Sequence, residues 1–146
     1  MEIREVEEKD LEGLLELYQQ LHDNKLPQMN DSLQLLWQQI IADPNHHIIV
    51  GIENGKIISS CVVMVICNLT HQQRPYALIE NVITDEAFRN CGYATKLMEY
   101  AKETAIANSC YKIMLMTGSK EKSVLNFYEK AGYNRNDKTA FIQWLE

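Results

Sequence analysis

The sequence predicts one α+β domain spanning residues 1–146, built on a mixed, mostly antiparallel central sheet flanked by helices. Three observations carry this expectation. Two runs rich in β-branched residues, 48–52 and 57–66, flank Glu53-Asn54-Gly55-Lys56, and Asn-Gly between apolar runs is a strong two-residue hairpin signal. Strand-like and helix-like periodicities alternate through the rest of the chain, which calls for crossover connections beside the hairpin and hence a mixed sheet. Pro27, Pro44 and Pro75 fall singly between elements, no repeat or low-complexity tract divides the chain, and 146 residues can bury one continuous core.

The elements follow in order. Residues 3–6 read as a short strand, and Leu11, Leu14, Leu15, Tyr18 and Leu21 then recur at helical spacing. A polar loop covers 22–30. A second helix begins with Asp31 or Ser32 as N-cap, places Leu33, Leu36, Trp37, Ile40 and Ile41 on one face, and ends before Pro44. After the hairpin a strand is expected over 76–84. Residues 92–107 form an amphipathic helix with Leu97, Met98, Ala101 and Ala105 on its apolar face. A strand over 112–117 precedes a short helix on which Val124, Phe127, Tyr128 and Ala131 share a face, stopped by Gly132 at the left-handed C′ position. Residues 139–145 are expected to close the sheet as a last strand, giving the order β-α-α-β-β-β-α-β-α-β.

Composition narrows the chemistry. With 20 acids against 14 bases the net charge is −6, the wrong sign for a dedicated phosphate-backbone binder, so nucleic acid is not an expected partner. Residues 1–73 hold four bases and eleven acids, whereas residues 74–146 hold ten bases and nine acids. An anionic ligand therefore belongs to the second half. The acidic first half suits a cationic partner, and a solvated surface explains it as simply. Cys61, Cys67, Cys91 and Cys110 occur in a chain whose opening Met1-Glu2-Ile3-Arg4 lacks the apolar core of a secretory signal, so reduced thiols in a cytoplasmic protein are expected. The longest apolar stretch, 57–66, is broken by Ser59 and Ser60 and falls far short of the roughly 20 residues of a membrane span.

The informative segment is residues 80–95, a strand, a turn of small and polar residues, and the first turn of a helix. Helix N-terminal N–H groups lack intrahelical acceptors and sit at the positive end of the dipole, which makes such a junction an anion site. Gly92 and Ala94 permit close approach, and Arg89 supplies a charged fork. On these grounds alone an ordinary strand-to-helix turn with a solvated arginine is as good a description as a phosphate cradle. Neither G-x-x-x-x-G-K-[ST] nor G-x-G-x-x-G is present, so ATP and dinucleotide chemistries lose their usual support.

What the turn does contain is Arg-x-x-Gly-x-Ala at Arg89, Gly92 and Ala94, which resembles the acetyl-CoA pyrophosphate loop, R/Q-x-x-G-x-G/A, of the GNAT superfamily of N-acetyltransferases. About thirty residues on, Phe127-Tyr128-Glu129-Lys130-Ala131-Gly132-Tyr133 resembles that family's second signature. Specific motifs cover residues 78–133, and the order of elements is similar over nearly the whole chain.

The resemblance implies two splayed parallel strands, 78–84 and 112–117, holding the pantetheine arm of acetyl-CoA between them. It implies that N–H groups of Asn90, Cys91, Gly92, Tyr93, Ala94 and Thr95 hold the pyrophosphate beside Arg89, that main-chain groups of Val82, Ile83 and Thr84 pair with pantetheine, and that Asn126 is a further cofactor contact. No metal is implied. An alkylammonium with a pKa of about 10.4 must lose a proton before it attacks a thioester, so a base is needed. Glu80 is the candidate, because similar glucosamine-6-phosphate N-acetyltransferases carry an acid there; a surface glutamate on an alternating strand is the competing description. A departing thiolate, whose conjugate thiol has a pKa of about 8.5, is eased out by a hydroxyl donor, and Tyr128 matches the family tyrosine given that role. Aromatic residues at this spacing also serve as plain core, the description adopted for Phe127.

The acceptor is expected to be the primary amine of a small molecule of aminoglycoside, polyamine or amino-sugar type. Tyr18, His22, Asp23, Tyr76 and Asn81 are its candidate contacts. Two departures from the family pattern, Asn90-Cys91 in the loop and Glu121 where an asparagine is common, are compatible with the alternative of a non-catalytic acyl-CoA sensor. Cys91 is not expected to act as a nucleophile, and His46, His47, His71, Cys61 and Cys67 lack metal-ligand spacing. A homodimer is the expected assembly, by resemblance alone.

Overall fold

The computed structural model describes residues 1–22 and 24–146. The strands are β1 (Glu2–Glu5), β2 (His46–Glu53), β3 (Lys56–Ile66), β4 (Tyr76–Thr84) and β5 (Ile113–Leu115), and the helices α1 (Leu11–Tyr18), α2 (Asp31–Ala42), α3 (Tyr93–Ala107) and α4 (Lys122–Lys130). The strands form one sheet in the order β1-β2-β3-β4-β5. All pairings are antiparallel except β4 with β5, so the sheet is mixed and mostly antiparallel as the sequence predicts.

The hairpin forms where Asn-Gly places it. Asn54 and Gly55 have φ of 50° and 77°, the two positive values a type I′ turn requires, and Glu53 faces Lys56 across it. The second helix starts one residue earlier than expected: Asn30 is the N-cap, its side-chain oxygen accepting from Leu33 N at 2.9 Å. The first helix ends at Tyr18 rather than Leu21, yet Leu21 still packs on the core. The strand expected over 112–117 pairs only as Ile113–Leu115. Residues 139–145 form no strand: they lie unpaired and exposed, and the outer edge of β5 stays free, because a strand-like pattern makes a ladder only where the chain path brings it into register with an edge.

The sheet separates two apolar layers. On one face Leu11, Leu14 and Leu17 of α1 and Trp37 of α2 cover Ile48, Val50, Val62 and Ile83. On the other, Leu97, Met98, Ala101 and Ala105 of α3 cover Ile49, Cys61, Val63, Ala77 and Ile79, with Phe127, Tyr128 and Tyr133 packed alongside. Trp37 is buried and donates its indole N–H to Glu8 O at 3.0 Å, which ties α2 to the start of α1.

A buried ion pair fixes the N-terminal corner. Arg4 donates to both oxygens of Asp10, at 2.6 and 3.1 Å, and Glu7 N donates to Asp10 at 2.7 Å. Burial works to raise the Asp10 pKa, but Arg4 and the Glu7 N–H outweigh it and hold the carboxyl below its ordinary value. A depressed folded-state pKa stabilises the fold above the unfolded carboxylate value of about 3.9, and that contribution is lost as pH falls below it. Asp10→Asn is therefore expected to lower the melting temperature at pH 7 and to flatten its decline between about pH 5 and pH 2, read by thermal unfolding across pH.

Candidate functional site

The site is built where β4 stops behaving as a regular strand. Val62 faces Glu80 and Ser60 faces Ile83, so Cys61 alone stands opposite the pair Asn81 and Val82. That is a β-bulge, and Asn81 absorbs the extra residue with φ of 52°, a left-handed conformation asparagine tolerates better than most residues. The bulge shifts the alternation of the strand. Ala77 and Ile79 pack beneath α3, whereas Ile83, of the same parity, packs beneath α1. Glu80, opposite Val62, lies on the α1 and α2 face.

Beside the bulge the sheet opens. β5 pairs with Ala77, Leu78 and Ile79 only, leaving residues 80–84 of β4 without a partner on that edge. Backbone donors and acceptors are free there to meet an extended ligand. The edge leads into Asp85, whose carboxylate accepts from Ala87 N at 3.0 Å and from Lys56 Nζ at 2.8 Å, while Asp85 N donates to Ile58 O at 2.8 Å. Lys56 is the main reason the Asp85 carboxyl sits below its ordinary pKa, and the pair anchors the turn to the hairpin.

From this anchor the chain enters α3. Asn90 and Gly92 have φ of 61° and 81°, and Gly92 is the N-cap. No side chain caps the helix, no acid occupies its first turn, and the intrahelical ladder begins with Lys96 N donating to Gly92 O at 3.2 Å. The N–H groups of Tyr93, Ala94 and Thr95 are thus free at the positive end of α3. Arg89 donates its Nε to Thr84 O at 3.3 Å, which holds the side chain along the turn with its terminal nitrogens available. A Cβ at Gly92 would meet no atom within 4 Å, so its requirement is conformational: the positive φ turns the backbone into the helix. Cys91 is exposed and donates its thiol to Arg89 O.

On the α3 face, Tyr128 lies 5.0 Å from Phe127 and 6.4 Å from Tyr133 between ring centroids, both edge-on. Burial pushes its hydroxyl pKa up, so at neutral pH the group stays a protonated donor. Burial also raises the Cys61 thiol to about 12, which leaves it un-ionised and non-nucleophilic. Asn126 is exposed on α4.

On the opposite face a cleft of about 370 Å³ is lined by Leu15, Tyr18, Leu21, Asn24, Lys25, Pro27 and Asn81. The hydroxyls of Tyr18 and Ser60 are buried near one another; burial raises the Tyr18 pKa and Ser60 partly offsets it. Of the acceptor contacts expected from the sequence, Tyr18 and Asn81 meet here. His22 is exposed beside the cleft loop, Asp23 lies outside the described residues, and Tyr76 sits at the opposite end of β4, near Lys112 and Tyr111. Asn24, Lys25 and Pro27 lie in the loop to Asp31, where the resemblance places an acceptor pocket, but were not singled out from the sequence; the break in alternation at Asn81-Val82 was the available sign of the bulge. A larger cavity of about 430 Å³ between α1 and the hairpin turn is lined by four carboxylates, Asp10 and Asp85 paired with Arg4 and Lys56, and Glu12 and Glu16 exposed on α1, and by none of the motif residues. Among the described residues no cluster of His, Cys, Asp and Glu is placed to hold a metal, and no helix is long and apolar enough to cross a membrane.

The sequence model of the Acetyltransferase (GNAT) family matches residues 11–133. The chain belongs to the GNAT acetyltransferase family. Membership makes it an acetyl-CoA-dependent acyltransferase, in a family that uses acetyl-CoA. The glucosamine 6-phosphate N-acetyltransferase of Trypanosoma brucei brucei is 28% identical over 138 residues, 94% of this chain and 92% of that protein. A protein from Agrobacterium tumefaciens str. C58, provisionally named an acetyltransferase, is 38% identical, with TM-score 0.90 over 99% of this chain and 100% of its own. The glucosamine-6-phosphate N-acetyltransferase of Arabidopsis thaliana superposes with TM-score 0.87 at 25% identity, over 99% of this chain and 98% of that one.

Thiol reactivity checks the local chemistry. In the folded protein Cys67 and Cys91 are expected to be alkylated by iodoacetamide at pH 8 while Cys61 is protected until denaturant is added, as read by peptide mass spectrometry.

Proposed function

We propose that the protein transfers the acetyl group of acetyl-CoA directly to the primary amine of a small acceptor, and that this acceptor is a phosphorylated amino sugar. The observation that carries the transfer reading is the unpaired β4 edge running from the bulge to the uncapped N-terminus of α3. It fits a long ligand with a polar arm at one end and phosphates at the other.

When bound, acetyl-CoA supplies an activated acyl thioester. First-turn N–H groups of Tyr93, Ala94 and Thr95, with Asn90, Cys91, Gly92 and Arg89 around them, are the groups to hold its pyrophosphate. Main-chain groups of Val82, Ile83 and Thr84 bind the pantetheine arm and polarise the carbonyl, and Asn126 closes the site from α4. Glu80 takes one proton from the acceptor ammonium, directly or through water, and frees the amine lone pair that then forms the N–C bond. As the C–S bond breaks, Tyr128 donates to the departing sulfur, and the second proton shed by the nitrogen restores the Tyr128 hydroxyl.

The acceptor reading rests on the cleft beside Asn81. Among the described residues Lys25 is the charged residue in its lining and none of them is a carboxylate, which suits a ligand with an anionic group better than a polycation. Tyr18, Asn24 and Asn81 offer hydrogen bonds to hydroxyls, with His22 on the adjoining loop; Asp23 stays a candidate contact on the sequence alone. The glucosamine 6-phosphate enzymes among the relatives favour the same acceptor class. Free cysteines suit a reducing, cytoplasmic setting, and a homodimer is the proposed assembly.

The deciding experiment incubates purified protein and acetyl-CoA with hexosamine phosphates, free hexosamines, aminoglycosides and polyamines, and reads acetylated products by mass spectrometry. A hexosamine phosphate product supports the proposal; transfer only to polyamines or aminoglycosides overturns the acceptor, and acetyl-CoA binding without transfer to any amine indicates a sensor. Tyr128→Phe and Glu80→Gln are each expected to lower kcat by about 100-fold with acetyl-CoA affinity within about threefold of the parent, measured by steady-state kinetics and calorimetry. Gly92→Val, strained at φ of 81°, is expected to abolish measurable acetyl-CoA binding. Lys25→Ala is expected to cost about tenfold in kcat/KM for the phosphorylated sugar and little for the unphosphorylated one.

A further inference from the structure

From Ile57 to Ile66 the central strand β3 is apolar except at Ser59 and Ser60. Both serines are fully buried, at 0% exposure, where aliphatic side chains would fill the core with no polar group to desolvate. They face opposite layers. Ser60 stands beside Val50 and Ile83, which lie under α1, and by alternation Ser59, beside Gly51 and Thr84, faces α3. The Ser60 hydroxyl lies near that of Tyr18, and beyond one another the two meet no hydrogen-bonding group among the described residues.

Two buried hydroxyls that have only each other are a poor source of stability. Replacing both by apolar groups of the same shape is nearly neutral or favourable, whereas removing one strands the other. Their place in the fold indicates what they hold instead. Tyr18 is the last residue of α1, and no basic side chain secures that end of the helix. The chain continues through Leu21 N donating to Tyr18 O at 3.0 Å and Asn24 N donating to Leu21 O at 3.4 Å, and so reaches Asn24, Lys25 and Pro27 in the lining of the cleft. Ser60 belongs to the sheet, one step along the same face from Val62, the residue opposite Glu80. The hydroxyl contact thus joins the sheet beside the bulge to the root of the loop that carries Lys25.

We propose that Ser60 is a positioning residue for the acceptor: paired with the Tyr18 hydroxyl, it pins the end of α1 to the sheet and sets the span between Lys25 on the cleft loop and Glu80 on β4. This rests on the acyl-transfer reading and adds the device that fixes where the two ends of the acceptor are held. The amine has to reach Glu80 while the anionic group reaches Lys25, and a loop whose root is fixed has less to order when the acceptor binds. Apolar side chains at the same two positions would pack as well, but burial has no direction and leaves the end of α1 able to slide on the sheet. A hydrogen bond between two hydroxyls holds one arrangement.

The test compares Ser60→Ala, Tyr18→Phe and the double variant with the parent, with glucosamine 6-phosphate as the acceptor. Ser60→Ala is expected to raise the acceptor KM by about tenfold with kcat within about threefold, and the double variant to match Tyr18→Phe, because Ser60 acts through Tyr18. Acetyl-CoA affinity, read by calorimetry, is expected to stay within about twofold of the parent throughout. Ser59→Ala, on the opposite face, is expected to leave the acceptor KM unchanged. Thermal unfolding needs no substrate: Ser60→Ala is expected to lower the melting temperature by stranding the Tyr18 hydroxyl, and the double variant to recover it to the parent value or above. An unchanged KM in Ser60→Ala, or KM effects that add in the double variant, overturns the proposal. A double variant that melts well below the parent overturns it too, because the pair then serves stability. If the parent acetylates a different amine and not glucosamine 6-phosphate, the sugar phosphate reading fails alone and the same variants are judged on that amine. A parent that binds acetyl-CoA and transfers to no amine overturns the acyl-transfer reading and this proposal with it.

Discussion

Pairing between β3 and β4 sets Asn81 and Val82 against Cys61 alone, and the left-handed Asn81 that absorbs the extra residue changes the parity of the strand. Upstream of it, β4 is an ordinary buried strand flanked by β3 and β5. Downstream its side chains swap layers and its free edge turns away from β5. One irregularity thereby makes both halves of the site. It leaves a backbone edge unpaired, and it brings Asn81 to the cleft beneath α1, on the face where Glu80 lies.

The rest of the fold holds that irregularity still. Two apolar layers clamp β3 and β4 from both sides, so the bulge cannot slip its register without moving Cys61, Val63 and Ile79 out of the core. The turn after β4 is tied by Asp85 to Lys56 and by Glu86 N to the Gln20 side chain, which joins the phosphate-side loop to α1 and to the hairpin. Electrostatics are divided in the same way. Carboxylates near the N-terminal corner are spent on Arg4 and Lys56, while the first turn of α3 carries no acid. Of the first half's acids, Asp10 is spent on structural pairing, Glu12 and Glu16 line the cavity beside α1, and the cleft by Asn81 is lined by Lys25.

Much of the fold was legible from residues alone. Asn54-Gly55 named the hairpin because few residues adopt two successive positive φ values cheaply. Leu97, Met98, Ala101 and Ala105 named the buried face of α3 because a helix repeats every 3.6 residues whatever it packs against. Gly92 marked the turn into α3, because the positive φ it adopts is cheap for glycine wherever the chain later packs. Other features depended on residues far apart in sequence. That β5 would pair for three residues and then part from β4, that Asn81 would bulge against Cys61, that Tyr18 and Lys25 would share a cleft with Asn81, and that Tyr76 would lie at the far end of β4 are outcomes of register and layer packing. Sequence sets which face a side chain prefers; only the assembled sheet decides which strand stands opposite it, because pairing energy is gained between segments and not within them.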